Sequence, residues 1–381
     1  MPIRDATLVR KTQTLTEEEA GALATFTADV SKLFTPLRLR GTSFRNRAWV
    51  SPMCQYTSVD GRPGDWHLVH LGSMARGGAG LVMTEATAVT PEGRISPQDA
   101  GIWTDEQAAD YRRITDFIRA QGAVAGIQLA HAGRKGSTRP PWLGGGPVDP
   151  VDSWTTVSAS SLSYADWPAP HALTEIAIRD LLSAWTAATI RAAAAGFEVI
   201  EIHAAHGYLL HQFLSPLSNR RTDGYGGDLA GRSRLLVEAV DAVRAAWPDE
   251  RPLFVRLSAS DWVEGGLDVN DVTTVAKELA GHGVDLYDVS SGGISPDQQV
   301  AVGPGYQVPF ARAIREGTGL RVAAVGLITE PAQAEQVLAD GAADAVMLAR
   351  ALLREPSWPQ RAARELGDDI SWPPQYERAR L

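Results

Sequence analysis

Residues 175–208 read EIAIRDLLSAWTAATIRAAAAGFEVIEIHAAHGY. In the first part of this stretch, apolar side chains recur at three- and four-residue steps from Ile178 onward, as one buried face of an α-helix requires. Gly196 then separates the helical pattern from an apolar run, and glycine is the residue preferred at the left-handed end of a helix. The stretch therefore predicts a helix over residues 175–195 followed by a buried strand over residues 198–203.

The same unit repeats along the chain. Short apolar runs predict strands at residues 48–51, 80–85, 124–129, 198–203, 253–257, 286–289, 322–325 and 345–348. Helical patterns lie between most of them, including residues 105–121, 175–195, 231–246, 271–282 and 330–339. About eight such repeats with nearly continuous apolar strands predict an α/β fold, a closed (β/α)8 TIM barrel. The competing architecture is an open doubly wound sheet, which normally has a glycine-rich turn after its first strand. Here the first strand leads into PMCQY at residues 52–56, so the barrel is favoured.

Composition excludes several classes of protein. The chain has 381 residues, 44% of them hydrophobic, and barrels of about 250 residues or more commonly form one domain. Its net charge of -9 argues against a general binder of nucleic-acid phosphates. Cys54 is the only cysteine, which excludes an internal disulfide and a cysteine-held iron–sulfur cluster. No apolar stretch approaches about 18 residues, and no compact apolar leader is visible, so a cytoplasmic protein without membrane spans is expected.

Two segments lie outside the regular β–α pattern. Residues 1–32 are interpreted as an N-terminal extension, and residues 33–381 as the barrel domain. Residues 136–173 are rich in Gly, Pro, Ser and Trp. A connection of that length in a compact domain is usually functional or mobile. We interpret it as a lid loop over the barrel mouth, with a plain surface insertion as the alternative.

The predicted fourth strand ends in two histidines and a tyrosine. Active sites of this fold lie at the C-terminal ends of the strands. A turn there aims His203 and His206 at one point, where two N–H donors would stabilise developing negative charge, and Tyr208 supplies an O–H for proton donation. Three alternatives remain open: a metal site completed by His211 or Glu201, a histidine that is merely a core residue, and acid–base catalysis as in barrel aldolases and isomerases.

Polar residues also interrupt the third and fifth strands. Gln128 offers both a donor and an acceptor to a flat heteroaromatic ring. Lys135 follows the third strand and is a candidate for Schiff-base chemistry, although its glycine-rich surroundings predict weak desolvation. Arg256 interrupts an apolar run and needs an anionic partner inside a barrel. That partner is either a ligand such as a reduced flavin or a carboxylate in a structural salt bridge.

The last two strands predict a phosphate site. Gly326 and Leu327 follow the seventh strand, and Ala349 and Arg350 follow the eighth, where barrels commonly bind phosphate with loop amides and a helix N-terminus. Gly326 allows the backbone to approach an anion closely, and Arg350 can pair with a phosphate in a bidentate manner. Glycines at 292–293, after the sixth strand, can contribute. Their joint placement predicts a ligand that carries phosphate.

Taken together, these residues resemble the Old Yellow Enzyme family, specifically its thermophilic-like bacterial branch. The resemblance runs from about residue 33 to residue 378. It rests on the motifs LFTPLRLRG, SPMCQY, IQLAHAGRK, GFEVIEIHAAHGYLLHQFLSPLSNRRTDGYGG, VRLSASD, AVGLI and QYER. The string from GFEVIEIHAAHGY to YGG is highly specific to that family.

The resemblance implies an FMN-dependent ene-reductase. FMN would be held non-covalently at the barrel mouth, and NADPH or NADH would donate hydride in a ping-pong reduction of an activated alkene such as an α,β-unsaturated carbonyl compound. Cofactor contacts are implied for Ser51, Pro52, Met53, Cys54, Ala86, Gln128, Arg256, Gly326, Leu327, Ala349 and Arg350. Substrate contacts are implied for Tyr56, His203, His206 and Arg378, and proton donation for Tyr208. Cys54 would tune the flavin potential, and no metal is implied.

The C-terminal segment 374–381 carries a further implication of the resemblance. In this branch the arginine of the QYER motif, here Arg378, reaches the active site of a neighbouring subunit, so a homodimer or homotetramer is expected. A frayed tail is the alternative. The chain departs from the family at Ala349, where a glycine is usual, and before Arg232, where an asparagine is common. The first departure puts one backbone contact to the phosphate in doubt.

Overall fold

The computed structural model describes residues 30–380. The proposed N-terminal extension therefore lies outside the described residues, apart from its last three positions. The described chain begins with a 3₁₀ turn, Lys32–Phe34, and then a hairpin. The strands, in chain order, are β1 (Leu37–Leu39), β2 (Thr42–Phe44), β3 (Ala48–Val50), β4 (Leu81–Ala88), β5 (Val124–Ala130), β6 (Val157–Ser158), β7 (His171–Ala172), β8 (Val199–Ala204), β9 (Leu253–Ser258), β10 (Leu286–Ser290), β11 (Arg321–Ala324) and β12 (Ala345–Leu348).

Eight of these strands form a closed parallel barrel within residues 30–380, in the order β3, β4, β5, β8, β9, β10, β11 and β12, with β12 paired back to β3. The helices are α1 (Asp65–Arg76), α2 (Asp105–Ala120), α3 (Glu175–Ala194), α4 (Leu209–Leu214), α5 (Leu229–Ala246), α6 (Val269–Ala280), α7 (Val308–Thr318), α8 (Pro331–Ala339), α9 (Arg350–Arg354) and α10 (Trp358–Leu366). The predicted (β/α)8 barrel is confirmed. Gly196 separates α3 from β8 at φ 87°, the left-handed conformation expected of it.

Polar caps fix where the outer helices begin. The Thr104 hydroxyl accepts the N–H of Gln107 at 3.3 Å, and the Gln107 side chain accepts the N–H of Thr104 at 3.0 Å. This reciprocal capping box satisfies two donors that the first turn of α2 leaves unpaired. Asp268 caps α6 in the same manner. α2 and α6 therefore start at a defined distance after the strands that precede them, which limits the loops that lead into them.

The lower half of the barrel is closed by aromatic side chains. The ring of Trp49 lies 4.7 Å from Phe44 of the β1–β2 hairpin and 5.8 Å from Phe254 of β9. These residues belong to an apolar cluster formed by alternate positions of the barrel strands, while the intervening positions pack against the helices. Because strand side chains alternate between the two faces, the interior positions nearer the mouth are Gln128, Glu201, Arg256 and Asp288.

Segment 136–173, between β5 and α3, lies against the loop that follows β4. It carries a 3₁₀ turn, Pro141–Leu143, and the short parallel pair β6–β7. The Trp154 indole donates to the carbonyl of Glu92 at 2.9 Å. The Arg94 guanidinium lies over Trp103 and Trp154, 5.4 and 5.2 Å from their ring centroids. These contacts anchor the middle of the segment beside the barrel mouth, and its function as a lid stays a prediction.

Among the helices of residues 30–380, none combines the length and the apolar character needed to cross a membrane.

Candidate active site

The turn after β8 brings His203, His206 and Tyr208 together. The ring centroid of His203 lies 5.2 Å from that of His206 and 5.0 Å from that of Tyr208, both in edge-to-face geometry. Tyr208 immediately precedes α4, and His206 adopts φ 59°. Residues other than glycine rarely adopt this left-handed backbone conformation, and those that do are concentrated at functional sites. The turn therefore uses a strained backbone to group three polar rings at the mouth.

His203 is a buried, neutral imidazole. Its side chain is 3% exposed, and its Nδ1 accepts the N–H of Ala205 at 3.4 Å. That contact places the ring proton on Nε2. Burial, and after it the charge of Arg256, lowers the pKa of His203 well below its usual value. At neutral pH the ring therefore carries no charge and keeps Nε2–H as a hydrogen-bond donor.

His206 is held from three directions. Its main-chain N–H donates to the Ser258 hydroxyl at 3.0 Å, and its carbonyl accepts from Nζ of Lys135 at 2.9 Å. Its Nε2 lies 2.7 Å from the Ser290 hydroxyl. Burial and Arg256 also lower the pKa of His206 well below its usual value. Both histidines are thus neutral and fixed in orientation.

The neighbouring hydroxyl and thiol groups stay protonated. Burial raises the pKa of Tyr208 well above its usual value, and it does the same for Tyr56 and for Cys54. Tyr56, like His206, has a left-handed backbone, at φ 53°. Its ring meets that of Trp142 from segment 136–173 edge-on, with centroids 5.5 Å apart. The mouth therefore presents neutral O–H and S–H groups rather than phenolates or a thiolate.

The two side chains considered as third metal ligands have other partners. Nδ1 of His211 accepts the N–H of Gly207 at 2.9 Å, and its Nε2 bonds to Asp261 at 2.8 Å. Oε1 of Glu201 accepts from Nε2 of Gln128 at 2.7 Å. Over residues 30–380, no group of three or more His, Cys, Asp or Glu side chains is arranged to hold a metal ion. The geometry thus favours His203 and His206 as hydrogen-bond donors.

A buried polar layer lies inside the barrel below the mouth. Nε of Arg256 is 3.0 Å from Oδ2 of Asp288, so the arginine has the carboxylate partner that a structural salt bridge requires. Oε2 of Glu201 is buried without a hydrogen-bond partner, and the atoms of the Arg256–Asp288 pair also lack hydrogen-bond geometry. Because Gln128 uses its amide N–H toward Glu201, its carbonyl oxygen is left as an acceptor. This layer is suited to a polar heteroaromatic ring placed above it.

Burial shifts the charge state of this layer. It raises the pKa of Glu201 to about 8, with the neighbouring charge of Asp288 acting in the same direction. Burial also raises the pKa of Asp288, and Arg256 opposes that shift. The net charge beneath the mouth is consequently sensitive to any negative charge brought near Arg256, such as that of a reduced flavin ring.

Residues predicted to bind phosphate line one cavity. It has a volume of about 220 Å³ and is bounded by Arg256, Gly326, Leu327, Ala349 and Arg350 among others. Gly326 has φ 120° and Leu327 φ 50°. A Cβ on Gly326 would lie 2.8 Å from the side-chain nitrogen of Gln307, and φ of 120° is a backbone conformation that residues with a Cβ rarely adopt, so glycine is favoured there.

The charge of this cavity fits a phosphate. Arg350 is exposed and forms no ion pair within residues 30–380, which leaves its guanidinium available to an anion. The helix that follows, α9, has only five residues. Arg350 and the main chain at Gly326 therefore line the cavity where the sequence predicts a phosphate, and the contribution of a helix N-terminus stays a prediction. The donor set across the mouth fits FMN, with Gln128 and Arg256 toward the ring and the 326–350 cavity toward the phosphate.

Lys135 differs from its predicted environment. The expectation of weak desolvation is wrong, because burial, assisted by Arg134, lowers the pKa of Lys135 to about 8. Its Nζ donates to the carbonyls of His206 and Gly293, both at 2.9 Å. An amine engaged in this way is not presented as a nucleophile, so the geometry gives no support to Schiff-base chemistry.

Several supporting residues were missed in the sequence. Asp261 accepts from His211, from the Ser215 hydroxyl at 2.6 Å and from the N–H of Leu267 at 2.8 Å. Gln212 donates to the carbonyls of Gly207 and Ala132. The signals for them were their position just past the strand ends and their place within the motifs VRLSASD and HAAHGYLLHQFLSP. They hold the turn after β8 against the loops on either side.

The C-terminal arginine lies apart from these contacts. Arg378 belongs to the exposed 3₁₀ turn Pro374–Ala379. Within the described residues it makes no hydrogen bond or ion pair to the other predicted site residues. The tail is attached near Tyr376, whose ring lies 4.7 Å below the guanidinium of Arg76.

Comparison with known proteins identifies close sequence relatives. Residues 32–369 match the model of the NADH:flavin oxidoreductase / NADH oxidase family. An NADPH dehydrogenase of Halalkalibacterium halodurans is 46% identical over 352 residues, covering 92% of this chain and 99% of that protein. An NADPH dehydrogenase of Geobacillus thermodenitrificans is 47% identical, covering 91% of this chain and 98% of that protein.

Solved structures give a consistent result. Morphinone reductase in complex with tetrahydroNAD superposes with a TM-score of 0.73 at 30% identity, covering 90% of this chain and 93% of that one. The old yellow enzyme homologue from Zymomonas mobilis superposes with a TM-score of 0.73 at 26% identity, covering 90% of this chain and 98% of that one.

Proposed function

Because the chain belongs to the NADH:flavin oxidoreductase / NADH oxidase family, we propose that it is an ene-reductase that acts on α,β-unsaturated carbonyl compounds and related activated alkenes. The predicted resemblance to Old Yellow Enzyme is confirmed, and with it FMN and NAD(P)H as the cofactors. Flavin-dependent oxidoreduction is thereby established. The proposal adds the C=C bond as the group reduced.

The observation that carries the proposal is the grouping of His203, His206 and Tyr208 after β8. Each neutral imidazole keeps one N–H, which it can donate to a substrate carbonyl oxygen. The two rings therefore provide hydrogen bonds without being protonated. As hydride adds to the alkene, negative charge grows on that oxygen, and fixed donors stabilise it without reorganising. Removing either imidazole should cost about tenfold to a thousandfold in rate.

Tyr208 is proposed to protonate the substrate carbon next to the carbonyl. Its raised pKa keeps the hydroxyl protonated until a strongly basic carbon is formed. Tyr56, whose phenol is protonated for the same reason, is proposed as a further substrate contact. Its ring joins the mouth to Trp142 of segment 136–173, which supports the proposal that this segment is a lid.

The cofactor would be held along the strand ends by residues from most of the barrel. Ser51, Pro52, Met53 and Cys54 are proposed to line the flavin, Ala86 and Gln128 to contact its isoalloxazine ring, and Arg256 to face its N1/O2 edge. Gly326, Leu327, Ala349 and Arg350, which line one cavity, are proposed to hold the phosphate. When bound, FMN would supply hydride transfer from the nicotinamide to the alkene, and the protein supplies orientation and electrostatics.

One pair of measurements tests the function. The purified protein should be yellow, with absorption near roughly 450 nm as for flavins in general, and should oxidise NADPH when cyclohexenone or a maleimide is added. A yellow protein that consumes no NADPH with any such alkene would instead be a flavin-binding barrel without ene-reductase activity. His203→Ala and His206→Ala variants that keep FMN but reduce the enone at the wild-type rate would contradict the assigned roles.

We further propose a homodimer, or a pair of homodimers, in which Arg378 completes the site of a neighbouring subunit. Support comes from the exposure of the Pro374–Ala379 turn and from the absence of contacts between Arg378 and the rest of the described site. Sedimentation of the full chain and of a truncation ending at Gln375 tests this. Unchanged assembly and unchanged substrate KM in the truncated protein would contradict it.

A further inference from the structure

The ammonium group of Lys135 joins two loops that come from different parts of the barrel. Nζ donates to the carbonyl oxygen of His206, in the turn after β8, and to that of Gly293, in the loop after β10, both at 2.9 Å. Gly293 is 158 residues away in sequence. Two carbonyl oxygens that share one donor repel each other without it, so the ammonium stabilises the approach of the two loops.

The two loops cross very closely at this point. A Cβ on Gly207 would lie 2.0 Å from the carbonyl oxygen of Gly293, and a Cβ on Gly293 would lie 2.4 Å from the carbonyl carbon of His206. The left-handed backbone of His206, at φ 59°, lies within this crossing. The position of the His206 imidazole therefore depends on how tightly the crossing is held.

The same ammonium lies between two tyrosine rings. Its Nζ is 5.2 Å from the ring centroid of Tyr208 and 4.8 Å from that of Tyr164. Both distances are within the range of cation–π attraction. Tyr164 belongs to segment 136–173 and packs edge-on against Trp167. Lys135 thus contacts the turn after β8, the loop after β10 and segment 136–173 with one charged group.

We propose that Lys135 is a positioning residue, which fixes His206 and Tyr208 for the reaction and couples them to segment 136–173 through Tyr164. This inference rests on the proposed function. Lys135 does not touch the reacting atoms in this arrangement, since its donors point at main-chain carbonyls. No carboxylate within residues 30–380 pairs with it, so the charge is directed entirely at the carbonyls and rings that it holds.

Charge, and not only hydrogen bonding, is required of Lys135. A neutral amine still donates two hydrogen bonds, but it loses the attraction to both rings and the strong bonds to both carbonyls. The groups that face Nζ are Arg134 on its own loop, the histidines at 203 and 206, and the tyrosines at 164 and 208. Enone reduction should therefore decline as pH rises through about 8, where burial places the pKa of Lys135.

The test compares three variants of the FMN-loaded full-length protein. Lys135→Met removes the charge and retains the stem, Lys135→Arg restores a charge that persists to high pH, and Lys277→Met is a matched control at an exposed lysine of α6. The measurements are kcat and KM for cyclohexenone from pH 6 to 10, and chymotrypsin cleavage after Trp142, which is 65% exposed in segment 136–173.

We expect Lys135→Met to lower kcat/KM by about ten- to a hundredfold, to abolish the decline near pH 8 and to speed cleavage after Trp142 severalfold. Lys135→Arg should recover most of the activity and move the alkaline decline up by more than one pH unit. Lys277→Met should behave as the wild type in every measurement.

The outcomes separate this inference from the proposed function. A wild-type protein that does not reduce the enone refutes the function, and unchanged cleavage after Trp142 in Lys135→Met then refutes the coupling as well. A wild-type protein that reduces the enone, together with a Lys135→Met variant of equal rate, refutes the inference alone. If Lys135→Met does not fold, an unmoved alkaline decline in Lys135→Arg refutes it.

Discussion

Nε2 of His206 lies 2.7 Å from the hydroxyl oxygen of Ser290, the last residue of β10. The hydrogen bond made by one ring nitrogen decides which nitrogen of a histidine carries the proton. The Ser290 hydroxyl has one proton and two acceptors in reach, Nε2 of His206 at 2.7 Å and Oε1 of Gln307 at 3.3 Å. When Ser290 donates to Nε2, the proton of the imidazole lies on Nδ1, and Nδ1–H becomes the donor available to a ligand; when it donates to Gln307, it accepts Nε2–H from His206. Ser290 thereby controls, from two strands away, the tautomer of a proposed substrate-binding residue.

Replacing Ser290 by alanine should lower kcat/KM for an enone by about threefold to tenfold, because one net hydrogen bond that orients His206 is lost. The ¹⁵N shifts of the His206 ring should move toward a mixture of tautomers. Ser291→Ala is the matched control, since that hydroxyl bonds to Gln307 and not to His206. Equal losses of activity in the two variants would argue that the hydroxyl acts only through general packing of the loop.

Comparing Gly207 with Gly227 separates the steric clash of an added Cβ from the strain of a left-handed backbone. It has φ 75°, and an added Cβ would lie 2.0 Å from the carbonyl oxygen of Gly293; Gly227 has φ 78°, with open space around an added Cβ. Gly227→Ala should therefore cost only about 1 kcal/mol, the ordinary penalty of a left-handed alanine. Gly207→Ala should cost more in unfolding free energy and abolish enone reduction. Equal thermal stability and activity of the two variants would contradict the tight crossing.

The sequence predicted the barrel well because its strands are apolar and its longer helices are periodic. Helix α1 was not predicted, and His67 explains why. This histidine lies on the buried side of α1, where its Nε2 is 2.9 Å from Oε1 of Glu85. A polar pair inside the protein interrupts the apolar periodicity that predicts a helix.

Contacts between side chains on different strands were the part of the site that could not be predicted from the sequence. Arg256 was recognised because it interrupts an apolar run, but its partner Asp288 lies on the neighbouring strand, at a register set by the closed barrel. The burial of Lys135 depends likewise on a loop that follows β10. Such contacts join residues distant in sequence, so no local pattern reports them.

Glu201 should make the stability of the protein depend on pH. Burial raises its pKa in the folded state to about 8, above that of an unfolded glutamate. Between about pH 4.5 and 8 the folded state therefore binds a proton at Glu201 that the unfolded state has released. The stability that this proton contributes is fully present below that pH window and is lost as pH rises through it. Thermal unfolding from pH 5 to 9 should show a decline in the wild type that Glu201→Gln reduces by up to a few kcal/mol.

The control for that measurement is Glu316→Gln, because Glu316 is exposed on α7 and forms no hydrogen bond or ion pair within residues 30–380. Its pH profile should match the wild type. A Glu201→Gln profile that also matches the wild type would mean that Glu201 is ionised in the folded protein throughout this range.

Arg350 should determine how tightly the protein retains FMN. Its guanidinium lines the cavity beside Gly326 and forms no ion pair within residues 30–380, so a phosphate can occupy it as a bidentate partner. Arg350→Ala should raise the FMN dissociation constant by about ten- to a hundredfold, because a charge-assisted pair is lost in a partly enclosed site. Equilibrium dialysis of the apoprotein measures this directly, and Arg179→Ala, at an exposed arginine of α3, is the control.

The loss of affinity caused by Arg350→Ala should be smaller for riboflavin, which lacks the phosphate. If Arg350→Ala weakens riboflavin and FMN equally, the arginine acts on the ring or on the fold, and the phosphate lies elsewhere.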